Sequence, residues 1–183
     1  MENRRELLLN EMKALEEKEI SCKDCNGKCC TFIANSMQTT PLETIEVYNW
    51  LKKEGRIEES LKLKLKKCIK DFRLDMEIST GKNSTFRRSY TCPFFMDRNL
   101  GCSIAPEVKP YGCLAFNPKV YGITDGQHCE SRIDLLEERD KRFASQENLE
   151  NERLKKDLGL NWDKSPFPLA LLDIMERLDN NAP

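Results

Sequence analysis

Four cysteines, Cys22, Cys25, Cys29 and Cys30, crowd one short segment, and four more follow at Cys92, Cys102, Cys113 and Cys129. Thiolates are soft donors that hold zinc at about 2.3 Å and ligate iron–sulfur clusters. The two-residue gap between Cys22 and Cys25 lets a tight turn bring both sulfurs to one ion. Asn26 and Gly27 then permit the backbone to fold back, because glycine tolerates positive φ, and turn amides can point at the sulfurs and share their charge. Lys23 and Lys28 offset more of it. Eight thiolates exceed the four positions of a tetrahedral site, so the set is compatible with one or two centres, or with one filled centre and surplus thiols. In an extended chain the neighbours Cys29 and Cys30 point opposite ways, and could serve different metals or bridge two halves of the protein. A lone CxxC also suits a redox pair, but that reading leaves the other cysteines without work.

Two residues near this set stand apart from it. His128, the single histidine, lies beside Cys129 and is placed to reach a metal or to hydrogen-bond a thiolate, yet a lone histidine is more often structural. Cys68 falls on one helical face with Leu61, Leu65, Ile69 and Phe72, which makes it a small core residue.

Disulfides are the competing use of nine cysteines. The chain opens with Met1-Glu-Asn-Arg-Arg-Glu and only the short apolar run Leu7 to Leu9, which is no export signal, and no stretch approaches the roughly 18 to 20 apolar residues that span a bilayer. The expected setting is therefore a reducing cytoplasm, where clustered thiols are metal ligands or redox catalysts. A net charge of −1 disfavours nucleic acid and anionic membranes as partners. The basic run Lys62 to Lys67 is the wet side of an amphipathic helix. One histidine leaves little room for Ser/His/Asp catalysis, no GxxxxGK[ST] phosphate loop occurs, and the paired knuckles of a zinc ribbon are missing.

The elements that must position the thiols are mostly helical. Residues 3–20 carry Leu8, Met12 and Leu15 at helical spacing, and 31–37 read as extended. Thr40, Pro41 and Glu43 form an N-cap, a first-turn proline and a capping box, so a helix bearing Leu42, Ile45 and Trp50 starts there and stops at Gly55. A second helix spans 57–72. Alternation of Leu74, Met76 and Ile78, then a turn, then Phe86, Arg88 and Tyr90 predicts a hairpin over 73–91. A shorter hairpin over 92–102 would place one cysteine on each arm, and one helical turn at 106–111 would deliver Cys113. Residues 130–158, dense in alternating charge and anchored by Ile133, Leu136, Phe143, Leu154 and Leu158, predict one or two exposed helices that could also present a surface to a protein partner. From Ser165 a cap and proline open a last helix with Phe167, Leu171, Ile174 and Leu178 as its docking stripe. The expected fold is α+β and mainly helical: one domain over 1–183, with a cysteine-rich core at 21–129 containing short β-hairpins and amphipathic helical flanks at 1–20 and 130–183.

The order Cys22-x2-Cys25-x3-Cys29-Cys30, Cys92-Pro-Phe, Gly-Cys102-Ser-Ile, Lys109-Pro110-x2-Cys113 and Cys129 resembles the YkgJ-type cysteine-cluster family, often written CxxCxxCC and described as zinc- or iron-chelating domains. Here three residues, not two, precede the cysteine pair, and Lys109 stands where arginine is expected before proline. The resemblance covers residues 21–129. It implies a metal-binding protein holding zinc or iron, with an iron–sulfur cluster as one form. The alternative it implies is a metal-dependent enzyme of redox or group-transfer type, since some relatives are labelled iron–sulfur oxidoreductases and flagellin lysine methylases carry a similar cluster.

Overall fold

The computed structural model describes residues 3–19, 27–76, 78–79, 85–96, 101–118 and 129–180. In chain order these give α1 (Glu6–Glu16), β1 (Gln38–Thr39), α2 (Pro41–Lys53), α3 (Glu59–Phe72), β2 (Ile78–Ser79), β3 (Thr85–Phe86), α4 (Tyr111–Leu114), β4 (Phe116–Pro118), β5 (Cys129–Ser131), α5 (Ile133–Leu158), β6 (Ser165–Pro166) and α6 (Phe167–Asn180). The strands are short and pair two by two, so the class is α+β and mainly helical, as expected.

Local chemistry explains most boundaries. At α2 the Thr40 side chain accepts from the Glu43 backbone N–H and the Glu43 carboxylate accepts from the Thr40 backbone N–H, the reciprocal box that satisfies two otherwise orphaned donors. Past its end Gly55 takes φ of +64°, the left-handed stop the sequence predicts. The face that α2 buries most fully is made by residues other than Leu42, Ile45 and Trp50. Thr44, Val47, Tyr48 and Leu51 point inward, while Ile45 and Trp50 are only partly covered. Capping fixes where α2 begins but not how it is rotated, and the packing of α6 decides that.

Helix α6 supplies the floor of the main core. Phe167, Leu171, Ile174 and Met175 are buried against Val47 and Leu51 of α2 and Leu65, Cys68 and Ile69 of α3. Each such side chain contributes about 1.5–3 kcal/mol by leaving water. β6 pairs antiparallel with β1, matching Gln38 to Pro166 and Thr39 to Ser165, and so holds the start of α6 beside the start of α2. A smaller cluster forms where Leu8 of α1 packs on Tyr111, Leu114 and Ala115.

Both predicted hairpins are present in part. β2 and β3 match Ile78 to Phe86 and Ser79 to Thr85. Phe95 bridges Cys102, with Met96 N–H donating to Gly101 O at 3.0 Å and Ser103 N–H to Phe94 O at 2.9 Å, which gives one cysteine per arm; its turn residues 97–100 lie outside the described set. Three expectations need correction. Residues 31–34 form a turn instead of an extended piece, because Ala34 and Asn35 both donate to Thr31 O. Residues 106–111 are not one helical turn: a 3-10 turn at Pro106–Val108 precedes α4, and α4 itself carries Cys113. Ile133 does not anchor α5, a single helix, for it is exposed at its first position.

Candidate metal centre

Cys29, Cys30, Cys92, Cys102, Cys113 and Cys129 all line one cavity of about 80 Å³. Cys22, Cys25 and His128 lie outside the described residues. Cys68, the one set aside as a core residue, does not line the cavity; it sits on the buried face of α3 with its thiol 3.4 Å from Thr91 O. We expect Cys68→Ala to leave metal content unchanged, measured by elemental analysis of matched samples. A stoichiometric loss would place Cys68 among the ligands.

Backbone hydrogen bonds bring the thiols together. Cys29 and Cys30 occupy a 3-10 turn at Lys28–Cys30, closed by Cys30 N–H donating to Gly27 O at 2.7 Å. Successive side chains there are about 120° apart instead of opposed, so both face the same cavity, contrary to the extended-chain expectation. Cys30 O then accepts from Cys92 N–H at 2.7 Å, and Asn35 O accepts from Tyr90 N–H at 2.8 Å. The buried Asn35 side chain fixes this seam, donating to Tyr90 O and accepting from Met37 N–H. Cys102 receives the Ile104 N–H at 3.5 Å, an amide aimed at a sulfur. Cys129 is delivered from the far side by the β4–β5 pair, opposite Pro118.

Gly27 has a second task. Its φ is +67°, and a Cβ built on it would overlap the Phe95 ring. The segment of Cys29 and Cys30 and the arm of Cys92 can approach this closely only at glycine. Gly27→Ala should cost about 2 kcal/mol, combining left-handed strain with overpacking, and should be visible as a lower urea midpoint. An unchanged midpoint would show that Phe95 swings aside freely.

The loop carrying Lys109 and Cys113 is held by a buried charged network that the sequence reading missed. Arg5 Nε donates to Lys109 O at 2.8 Å, Tyr111 N–H donates to Glu43 Oε1 at 2.9 Å, and the Tyr111 hydroxyl donates to Glu147 Oε1 at 2.6 Å. Arg139 pairs with Glu147 and lies 3.4 Å over the Tyr111 ring, with Arg5 also over that ring at 4.7 Å. Glu43 was readable only as a capping residue. Arg139 and Glu147 were hidden among the alternating charges of α5.

Burial and neighbouring thiols set the protonation of the cavity's sulfurs. The hydrogen bond with Cys30, followed by burial, pushes the Cys29 thiol far above its usual range. Burial and then the charge of Cys102 push Cys92 up to about 12. Cys113 is also pushed well up, first by burial and then by Cys92 and Cys102. Lys109, nearly buried and lining the same space, pulls Cys29 and Cys113 the other way. One ammonium cannot balance several thiolates, whereas a bound divalent ion deprotonates a coordinating thiol outright. The donor chemistry therefore fits a thiophilic ion. Among the described residues, however, no three His, Cys, Asp or Glu side chains are grouped tightly enough to hold one. The six described thiols share a room, not a point. No family model, curated protein or solved structure matches this chain.

Proposed function

We propose that this chain is a metal-binding protein that chelates zinc or iron, the latter as an ion or an iron–sulfur cluster, through Cys22, Cys25, Cys29, Cys30, Cys92, Cys102, Cys113 and Cys129. The observation that supports it is the convergence on one cavity of six cysteines drawn from four separate stretches of chain, while Cys68 stays outside. The YkgJ-type resemblance names the same residues and the same chemistry, and the reading places the protein in a reducing cytoplasm, where thiols stay available. No helix among the described residues is long and apolar enough to cross a membrane.

Protein purified without oxygen, analysed for metals and sulfide and by visible absorption, tests the proposal. Colourless protein with stoichiometric zinc, or coloured protein with iron, is the expected result. Cys92→Ser and Cys113→Ser should each lower the bound metal. Metal-free protein, or variants that retain full metal, would sink the reading.

A further inference from the structure

Among the described residues that line the thiol cavity, two besides the cysteines carry a formal charge, Glu16 and Lys109; Glu16 is exposed on α1, whereas Lys109 is nearly buried. Lysine is almost never buried unless an opposite charge meets it, because an ammonium taken out of water without a partner is costly. The described carboxylates nearest in the fold do not supply one. Glu107 is exposed, Glu43 accepts from the Thr40 and Tyr111 amides, and Glu46 pairs with Arg4 and Arg5. What Lys109 does face is sulfur: its charge acts on Cys29 and Cys113 and draws both toward the thiolate form. The local sequence puts it there. A residue before proline is held out of the helical region, and Lys109, ahead of Pro110, is extended at φ −58° and ψ 144° where the 3-10 turn ends. Its N–H donates to Pro106 O at 3.2 Å and its O accepts from Arg5 Nε at 2.8 Å, so the backbone that carries the side chain is pinned on both sides.

We infer that Lys109 is a positioning residue of the metal centre, whose ammonium offsets the negative charge that remains when thiolates hold the metal, and so sets how firmly the metal is kept. The inference rests on the metal-binding reading above. A divalent ion held by four thiolates keeps an excess of about two negative charges, and a cavity walled mostly by apolar side chains solvates that excess poorly. An ammonium has donors and no lone pair, so Lys109 can donate to a sulfur but cannot take a ligand's place on the ion. It therefore relieves the excess charge without competing for the metal.

Competition between the zinc-loaded full chain and a chromogenic chelator, under reducing conditions, tests the inference on wild type, Lys109→Met and Lys109→Arg. Lys109→Met keeps most of the aliphatic stem and removes the charge; it should hold zinc about tenfold or more weakly, the size of loss expected when a group outside the ligand shell is removed. Lys109→Arg keeps the charge and should stay within about threefold of wild type. If the protein carries iron instead, the reduction midpoint is the second readout: it should fall in Lys109→Met, because reduction adds negative charge that the ammonium no longer offsets, and stay in place in Lys109→Arg. Far-UV circular dichroism of the metal-free variants checks the fold, and Lys109→Gln replaces Lys109→Met if the latter does not fold. Metal held equally by wild type and Lys109→Met, or lost equally by Lys109→Met and Lys109→Arg, would overturn the inference. Wild type that binds neither zinc nor iron fails the metal reading itself, whereas metal-loaded wild type matched by Lys109→Met fails the role of Lys109 alone.

Discussion

On the metal-binding proposal, a chelator under reducing conditions should erase hydrogen-exchange protection around Gly27 to Cys30, while amides of α2, α3, α4 and α6 remain protected. The reason is the uneven distribution of apolar burial. Tyr90, Phe94 and Ile104 are buried with the main core, and Phe94 lies 5.5 Å from Phe167, so the middle of the chain has support that does not depend on thiols. The turn at Lys28–Cys30 has little of that kind, whereas α4 is held by Leu114 in the smaller cluster and by the hydrogen bonds of Tyr111 to Glu43 and Glu147. A structural zinc site contributes on the order of 10 kcal/mol of apparent binding energy, comparable with the whole net stability of a domain, about 5–15 kcal/mol. Losing it should therefore be felt most where nothing else holds the chain. Equal protection with and without chelator would mean that the cavity is preformed, and would move the metal from a structural to a catalytic role.

Glu147→Ala should be strongly destabilising although it removes no apolar side chain. It leaves the Arg139 guanidinium, only 2% exposed, without its inner carboxylate and removes the acceptor of the Tyr111 hydroxyl. Breaking a buried ion pair from one side costs about 3–5 kcal/mol, and the lower end is expected here because Asp140 and the Tyr111 ring still face Arg139. In a chain of this size about 3 kcal/mol lowers Tm by on the order of 10 °C. Asp140→Ala is the control, since its carboxylate is exposed and its loss should stay within about 1 kcal/mol. Similar melting of the two variants would show that Arg139 finds another partner.

What could be read in the chain depended on whether the signal was local. The Thr40 box, the Gly55 stop, the α6 stripe and the core role of Cys68 are set within one or two helical turns, and each stands as expected. The rotation of α2 depends on α6, which lies far along the sequence. The turn at residues 31–34 closes locally on Thr31 O, while Asn35 at its end is held by Tyr90, a distant partner. The buried Arg139 and Glu147 defeat a rule that places charges in water by pairing with each other within α5, and Glu43 does so by accepting the backbone amides of Thr40 and Tyr111. For the site, residue type identified the six thiols that share the cavity, but not a larger cleft behind them, whose lining gathers from β1, α5 and the segment after β3.

The position of α6 also bears on how the protein is made. Every cysteine precedes Phe167 in the chain, yet the helix that begins there lines the thiol cavity with its first side chain and floors the main core. At about 5–20 residues per second, translation from Cys129 to Asn180 takes a few seconds, during which the earlier thiols belong to an unfinished fold. In that interval they meet whatever metal or oxidant surrounds the nascent chain. On the metal reading, the choice between zinc and iron is then exercised by cellular supply and by timing, before the closed cavity exists to enforce a preference of its own.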